Sequence, residues 1–304
     1  MGRRCLEPVL VIGAAGQLGR ALGATLRQAQ HDVIESVRRE PEPGQVCLDL
    51  DAPDDAAAVV RRLRPQWILI AGAFCNVDAA ETARAECRRV NVESPRAIAA
   101  CAAAAGCRVV YYSTDQVFDG TRTSYRETDP VHPLNVYAQS KAEGEAAIRA
   151  AAPGTHLILR TAWLYGPDPA RRNFPLRLAD QLGAGRQVPV PVDQFGCPTY
   201  TEDVARVTHA LLEQGRTGTF HAAGPELLDR VALAHRICAV FDLDERHVLP
   251  MPTAQLRQAA RRPLRVHLDG DALRAMGLGP LRGVAEGLVL LRQWQAAWQM
   301  AATR

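Results

Sequence analysis

The amino-acid sequence predicts an α/β fold, a doubly wound parallel sheet that carries a smaller, partly interwoven C-terminal lobe. Three observations predict it. Short apolar runs alternate with stretches of helical periodicity through the first half of the chain. The first apolar run ends in regularly spaced glycines. After about residue 163 the alternation loosens, yet no linker marks off an independent domain.

Taken in order, "PVLVIG" (8–13) is apolar throughout and ends in glycine, as a strand buried on both faces should. Residues 17–30 follow with helical periodicity. "DVIESV" (32–37) and "QVCLDL" (45–50) read as strands across a Pro/Gly loop, 54–64 as a helix, and "QWILIAGA" (66–73) as another buried strand. An alanine-rich helix over roughly 89–105 leads into the strand "CRVVYYST" (107–114). A helix at 135–151 and the strand "THLILRTAW" (155–163) close this half. Beyond it, "YGPDPARRNFP" and "DQFGCPTY" (193–200) read as loops. Helices are expected near 174–183, 229–241 and 284–298, with a strand at 218–224. Strands alternating with helices argue for helices on both faces of a parallel sheet.

The bulk numbers exclude several classes of function. Of 304 residues, 47% are hydrophobic and 23% charged, ordinary for a globular protein. The formal charge of +3, from 36 Lys+Arg against 33 Asp+Glu, gives no reason to expect nucleic acid or an anionic membrane as partner. No window approaches 18 consecutive apolar residues, and "MGRRCLEP" lacks the apolar core of a signal peptide. The eight cysteines form no C-x-x-C pair, so free thiols in a reducing cytoplasm are expected. The histidines form no H-x-x-x-H or H-x-H group, so no metal site is expected.

"VIGAAGQLG" places Gly13, Gly16 and Gly19 between a predicted strand and a predicted helix. That context makes it a Rossmann-type dinucleotide fingerprint. Gly13 permits the tight turn, Gly16 the approach of a pyrophosphate, and Gly19 close helix–strand packing. The helix opens at Gln17 and Leu18, where free N–H groups meet an anion. Arg38 and Arg39 stand 19 and 20 residues past Gly19, at the end of the second strand, where cofactor choice is made. A guanidinium there suits a 2′-phosphate, so NADPH is expected, with NADH as the alternative. A solvated turn is the competing reading of the two arginines.

Tyr137 and Lys141 are four residues apart on a predicted helix and therefore share a face. An ammonium next to a phenol favours phenolate and makes a tunable acid–base pair. Thr114, at the carboxyl end of a predicted strand, can hold the same substrate oxygen.

These residues resemble the extended short-chain dehydrogenase/reductases, and within them the dTDP-4-dehydrorhamnose reductase family. The strings are "GAAGQLG", "VDAAE" (77–81), "NVES" (91–94), "STDQVFDG" (113–120), "PLNVYAQSKAEGE" (133–145), "LRTAWLYG" (159–166), "NF" (173–174), "DQFGCPTYTEDVA" (193–205) and "RRP" (261–263). The resemblance implies reduction of the 4-keto group of dTDP-4-dehydro-L-rhamnose to dTDP-L-rhamnose. In that scheme Tyr137 is the proton donor, Lys141 its modulator and a ribose ligand, and Thr114 positions the carbonyl. It also implies Ala71, Gly72 and Ala73 along the cofactor and Asp49 and Leu50 by its adenine. Gln116, Trp163, Asn173 and Arg262 fall on the substrate side. Residues 1–162 plus about 191–222 would form the NADP-binding Rossmann domain, and about 163–190 with 223–304 the substrate lobe.

The chain departs from the family in places. Gln116 stands where the family reads Tyr, and Leu264, Arg265 and Val266 follow "RRP" where a small residue and Asn-Ser are usual. The acidic cluster that binds Mg²⁺ in some relatives is not evident, Glu286 standing alone, so no metal requirement is expected. Trp163 also reads as plain core, Asp193 and Gln194 as the shapers of an Asx-type turn, and Arg261 and Arg262 as an exposed pair. Two other functions remain open: reduction of a different nucleotide-linked keto sugar, and a non-catalytic NADP-binding regulatory subunit. The intact Thr114–Tyr137–Lys141 set weighs against the second. A homodimer is the assembly considered.

Overall fold

In the computed structural model, which describes residues 8–302, the chain opens with β1 (Val9–Ile12), α1 (Gln17–Gln28), β2 (Val33–Val37), β3 (Gln45–Cys47), α2 (Pro53–Leu63) and β4 (Trp67–Ile70). The short helices α3 (Val77–Ala80) and α4 (Arg84–Arg88) follow, then α5 (Ser94–Ala105), β5 (Arg108–Thr114), α6 (Val136–Ala151) and β6 (His156–Thr161). The rest comprises β7 (Leu164–Tyr165), α7 (Phe174–Gly183), β8 (Val188–Pro191), β9 (Phe195–Gly196), β10 (Thr199–Tyr200) and α8 (Thr201–Glu213). It ends with β11 (Gly218–His221), β12 (Leu228–Asp229), α9 (Arg230–Phe241), β13 (Val248–Met251), α10 (Asp271–Ala275) and α11 (Val284–Ala302). The "MGRRCLE" segment, with Cys5, lies outside the described residues. No helix among the described residues is long and apolar enough to cross a membrane.

Seven strands form one parallel sheet in the order β11-β6-β5-β4-β1-β2-β3. β1 and β4 are buried at every position, which puts them at its centre. The strand order reverses between them, so a crevice opens at their carboxyl ends. One face packs on α1 and α8 through Leu18, Leu22, Leu26, Val204, Val207 and Leu211. The other packs on α2, α5 and α6 through Val60, Ile98, Ala102 and Ile148. A further core joins α7, α9 and α11 to β8 and β13 through Leu176, Leu233, Ile237 and Leu288.

A glycine and a buried ion pair set the seat of α6 on the sheet. A Cβ on Gly144 would lie 2.3 Å from Tyr111 Oη and 2.4 Å from the Asn91 carbonyl oxygen, so only glycine lets the helix come this close to β5. Next to it, Arg160 of β6 donates two hydrogen bonds to Glu145, Nε to Oε1 at 2.9 Å and Nη2 to Oε2 at 2.8 Å. Both side chains are almost completely buried. Arg160 Nη1 also donates to the Glu127 carbonyl at 3.2 Å. Burial raises the Glu145 pKa, but the Arg160 hydrogen bonds and charge outweigh it, and the carboxyl sits below its ordinary value.

Several elements differ from the sequence expectation. The predicted strand at 66–73 ends at Ile70, because the Ala71 and Gly72 amides turn to donate to the Ile12 carbonyl. The strand expected over 45–50 stops at Cys47. The helix expected over 89–105 begins with a π-helical turn at Arg89–Glu93 before α5. Helix α8 has no counterpart in the sequence reading; its N-cap, Tyr200, makes no side-chain cap, and its start signal is confined to Glu202 and Asp203 in the first turn. The β8–β13 pair, whose strands are rich in proline, also has no counterpart in the sequence reading.

Removing one partner of the buried pair should be costly, since the other charge is left without compensation. Glu145→Ala is expected to lower stability by about 3–5 kcal/mol in urea unfolding. The folded pKa is lowered, so the pair's contribution is complete above the ordinary value of 4.5 and disappears as pH falls through the folded one. The variant should therefore lose less stability than the parent on acidification below pH 4.5; parallel acid profiles for the two would reject this account.

Candidate active site

The glycine turn is built by close contact. Gly13 has φ +83°, and a Cβ there would lie 2.6 Å from the Gly72 nitrogen. A Cβ on Gly19 would lie 2.2 Å from the Gly13 carbonyl oxygen, so α1 could not follow the turn so tightly with any other residue. Gly16 is the extended N-cap of α1 and carries no side-chain cap, which leaves the first-turn amides for an anion. Gln17 is held from outside: its Nε2 donates to the Leu164 carbonyl at 3.4 Å, and Asn173 Nδ2 donates to its Oε1 at 3.2 Å. Leu18 turns into the core, and Leu50 Cδ1 would lie 2.9 Å from a Cβ on Gly72. Ala71, Gly72 and Ala73 are all partly buried at the end of β4.

The two arginines after β2 have different surroundings. Arg38 Nε donates to Asp49 Oδ2 at 2.9 Å, and Asp51 lies 4.0 Å from its Nη2. The hydrogen bond and charge of Asp49 raise the Arg38 pKa. Burial raises that of Asp49, but the Asp51 amide and Arg38 hold it below the usual range. Arg39 makes no ion pair among the described residues and lines a cleft of about 490 Å³ with Ala14, Ala15 and Arg20.

Helix α6 begins at Asn135, whose Oδ1 accepts from the Ala138 amide at 2.8 Å. Its Nδ2 donates to Gln116 Oε1 at 3.2 Å and to the Arg261 carbonyl at 2.8 Å. Glu81 Oε1 accepts from the Val136 amide at 2.9 Å, so "VDAAE" also anchors this end. Tyr137 and Lys141 follow on the face packed against β5, both buried. The Thr114 hydroxyl donates to Asp115 Oδ1 at 3.0 Å and accepts from the Gln116 amide at 3.2 Å. The Lys141 ammonium lies 3.9 Å from the centroid of the Tyr111 ring, and Tyr111 donates to the Asn91 carbonyl at 2.9 Å.

Burial dominates the electrostatics. It pushes the Lys141 amine down to about 8, against the nearby Cys75 thiol. It pushes the Tyr137 phenol well above its ordinary value of 10, again with Cys75 close by and with Thr114 opposing. The lowered phenol pKa expected from the Tyr–Lys spacing is therefore not what the free protein shows. Desolvation, with Cys75, outweighs the opposing effect of Thr114, so the phenol favours its neutral form.

Sequence reasoning missed Asp115 and Arg230. Asp115 is 4% exposed, and burial pushes its carboxyl up to about 6, opposed by Thr114 and Arg230. The Arg230 guanidinium stacks over Trp163 with 3.4 Å from Cζ to the ring centroid, and lies 4.9 Å from that of Phe174. Among the described residues it makes no ion pair within 4.0 Å. Burial lowers its pKa, Asp115 raises it, and Arg177 and Arg262 lower it; a guanidinium nonetheless stays charged at neutral pH. The sole signal was indirect: Arg230 follows Asp229, the N-cap of α9.

Trp163 has φ +42°, a strained conformation for a bulky residue. A Cβ on Gly196 would lie 2.4 Å from Trp163 Cε2, so the glycine of the "DQFGCPT" loop makes room for the indole. Asn173 is the N-cap of α7, accepting from the Leu176 amide at 3.1 Å and donating to the Gly166 carbonyl at 2.9 Å. Its polar atoms thus serve the chain itself. Arg262 Nη2 donates to Asp78 Oδ2 at 2.8 Å, while its Nη1 is buried without a hydrogen-bond partner among the described residues. Arg257, Arg261 and Arg262 line a cleft of about 540 Å³. Asp193 and Gln194 clamp distant segments and do not form a local Asx turn. Asp193 Oδ1 accepts from the Thr253 amide at 2.9 Å, and Gln194 Nε2 donates to Gln258 Oε1 at 2.9 Å. The Arg265 guanidinium lies 5.1 Å from the Phe195 ring centroid.

Comparison with known proteins agrees with this geometry. A dTDP-4-keto-6-deoxy-D-glucose reductase of Streptomyces niveus is 35% identical over 274 residues, covering 90% of this chain and 92% of that protein. A dTDP-4-dehydrorhamnose reductase of Burkholderia thailandensis is 34% identical over 284 residues, covering 88% and 91%. The crystal structure of a dTDP-4-dehydrorhamnose reductase from Bacillus anthracis in complex with NADP superposes with TM-score 0.85 at 29% identity, covering 93% of this chain and 97% of that one. The family described as RmlD substrate binding domain matches residues 7–294. With that match spanning nearly its whole length, the chain belongs to the RmlD substrate binding domain family, and so to the dTDP-4-dehydrorhamnose reductases whose strings its sequence resembles.

Proposed function

We propose that the chain is an NADPH-dependent reductase of the 4-keto group of a dTDP-linked deoxysugar, converting dTDP-4-dehydro-L-rhamnose to dTDP-L-rhamnose in the cytoplasm. The observation that carries this reading is the buried Thr114–Tyr137–Lys141 set at the same end of the sheet as the uncapped glycine turn. The residues present fit a dinucleotide: a side chain at Gly13 would fill the space against Gly72, and the first turn of α1 has no cap of its own. NADPH, when bound, supplies hydride to the sugar C4.

Tyr137, protonated in the free protein, donates its proton to the carbonyl oxygen as negative charge grows there. Thr114, held between Asp115 and the Gln116 amide, orients that oxygen. Lys141 adds positive charge beside it and holds the nicotinamide ribose. Positive charge aimed at a developing oxyanion in a water-poor site is worth more than in solution. In this scheme Arg39 meets the 2′-phosphate, because Asp49 already engages Arg38. Trp163, Gln116 and Arg262 border the sugar nucleotide, and Arg230, its plane fixed by Trp163, presents its donors to the substrate. Residues 1–162 and about 191–222 carry the cofactor, and 163–190 with 223–304 the sugar nucleotide.

A second substrate, dTDP-4-keto-6-deoxy-D-glucose, is favoured by the name of the Streptomyces niveus relative and by Gln116, a departure from the family's tyrosine. NADPH oxidation followed at 340 nm over a panel of dTDP-linked keto sugars, with product stereochemistry by NMR, separates the two. Tight NADP binding without turnover on any of them would favour a regulatory subunit instead.

With the active substrate, Tyr137→Phe should lower kcat by about 10²–10⁴-fold and leave the NADPH Kd unchanged. Arg39→Ala should reduce the NADPH-over-NADH ratio of kcat/KM by about 10–100-fold, as expected for a lost charge-assisted hydrogen bond. Arg38→Ala should change that ratio much less; the reverse ranking would move the phosphate contact to Arg38. Arg230→Ala should raise the sugar-nucleotide KM by about tenfold or more with the NADPH Kd unaffected. An unchanged KM would remove Arg230 from the substrate site.

A further inference from the structure

Far from the catalytic set, the fold joins side chains that no motif connects. His31 follows the end of α1, and His209 and Glu213 lie one turn apart on the last turns of α8. His31 Nε2 and His209 Nε2 are 2.8 Å apart across 178 residues of sequence. Glu213 Oε1 lies 3.6 Å from the same His209 nitrogen, and all three ligand atoms fall within 4.8 Å of one another. We propose that these residues hold one divalent transition-metal ion of the zinc class, which staples α1 to α8.

The spacing suits such an ion. Zinc–nitrogen and zinc–oxygen bonds of about 2.0–2.1 Å in a tetrahedron separate neighbouring ligand atoms by about 3.3–3.4 Å. The observed 2.8 and 3.6 Å fall on either side of that value, and the third pair, His31 with Glu213, lies within 4.8 Å, a gap that the exposed Glu213 side chain closes by rotating. Two imidazoles and one carboxylate select zinc, nickel, cobalt or copper over magnesium or calcium, which prefer all-oxygen sites. A shared hydrogen between the imidazoles accounts for the 2.8 Å contact alone. It gives no reason for a carboxylate converging on the same nitrogen. On metal binding the imidazole that carries its hydrogen on Nε2 shifts it to Nδ1, so two neutral rings release no proton.

The backbone under the three residues is already fixed. Gln30, with φ +66°, ends α1, and the His31 amide donates to the Leu26 carbonyl at 3.0 Å. Leu22 and Leu26 pack in one core with Val207 and Leu211 of α8, so little ordering remains for the ion to impose. His31 is buried, His209 half-buried and Glu213 exposed. An ion therefore has a path from solvent and an outer position for water. The site lies at the opposite end of α1 from the glycine turn, about 18 Å along the helix axis. Its role is to hold the two helices together, and it touches no reacting atom.

The test uses full-length protein stripped with a chelator, then titrated with ZnCl₂ by calorimetry and thermal unfolding. One equivalent of zinc should bind saturably, and Tm should rise by about 5 °C at roughly 100 times Kd. Co²⁺ should give the visible absorption of a tetrahedral site, and Mg²⁺ should give no shift. His209→Ala should abolish the zinc shift with kcat/KM for the keto sugar unchanged. Glu213→Gln, a surface change that leaves the His–His contact intact, should weaken zinc by about tenfold or more. A zinc response that persists in His209→Ala would place the metal elsewhere, at the exposed Cys47 or Cys75 thiols, and overturn the proposal. Absence of saturable uptake by the parent protein, or an equal response to Mg²⁺, would overturn it as well.

Discussion

The chemistry depends on how closely α6 lies on the sheet. In the proposed mechanism Tyr137 and Lys141 act only if their helix face is pressed against β5, and two adjacent residues, Gly144 and Glu145, enforce that packing. The first removes the side chain that would strike Tyr111 and the Asn91 carbonyl. The second ties the helix to β6 through a two-pronged ion pair with Arg160. A buried pair of this kind contributes less to net stability than its Coulomb attraction suggests, because both ions lose their water. Its value lies in geometry: the fork of a guanidinium on a carboxylate permits few orientations, so the helix cannot slide or rotate on the sheet. The N-cap fixes the other end, since Asn135 ties the start of α6 to Gln116 and the Arg261 carbonyl.

Close packing also sets the electrostatics of the site. Burial raises the Tyr137 phenol, lowers the Lys141 amine to about 8 and raises Asp115 to about 6. All three shifts favour the neutral form, as desolvation requires. In the proposed mechanism this is the useful direction, because there the proton must stay on the tyrosine until the carbonyl oxygen becomes basic. The amine's contribution then falls on the transition state, where charge has appeared, more than on the resting phenol.

Much of this was legible in the sequence because it rests on local rules. The glycines are read from a strand, a turn and a helix in succession, and Gly13 and Gly19 do have neighbours too close for any side chain. The Tyr137–Lys141 spacing needs only helical periodicity. What the sequence hid is set by long-range closure. Arg230 meets Trp163 because β12 pairs with β9, which brings α9 beside the "DQFGCPT" loop. Arg38 and Asp49 each read as cofactor contacts, yet neighbouring parallel strands make them partners of each other. His31 and His209 come together only because α1 and α8 cover the same sheet face, which no local pattern announces.

Trp163 shows how a strained residue can be read as function. A tryptophan at φ +42° costs on the order of 1–3 kcal/mol against an ordinary conformation. Here the strain is held by three features at once: Gly196 leaves space for the ring, Arg230 covers one face, and the Thr199 amide donates to the Trp163 carbonyl at 3.3 Å. The result is an arginine stacked on an indole, with no ion pair among the described residues and within electrostatic reach of Asp115. An arginine fixed in this way loses little further entropy when it meets a ligand, so its hydrogen bonds count nearly in full. In the proposed mechanism, the backbone strain at Trp163 is what holds those donors in place for the substrate.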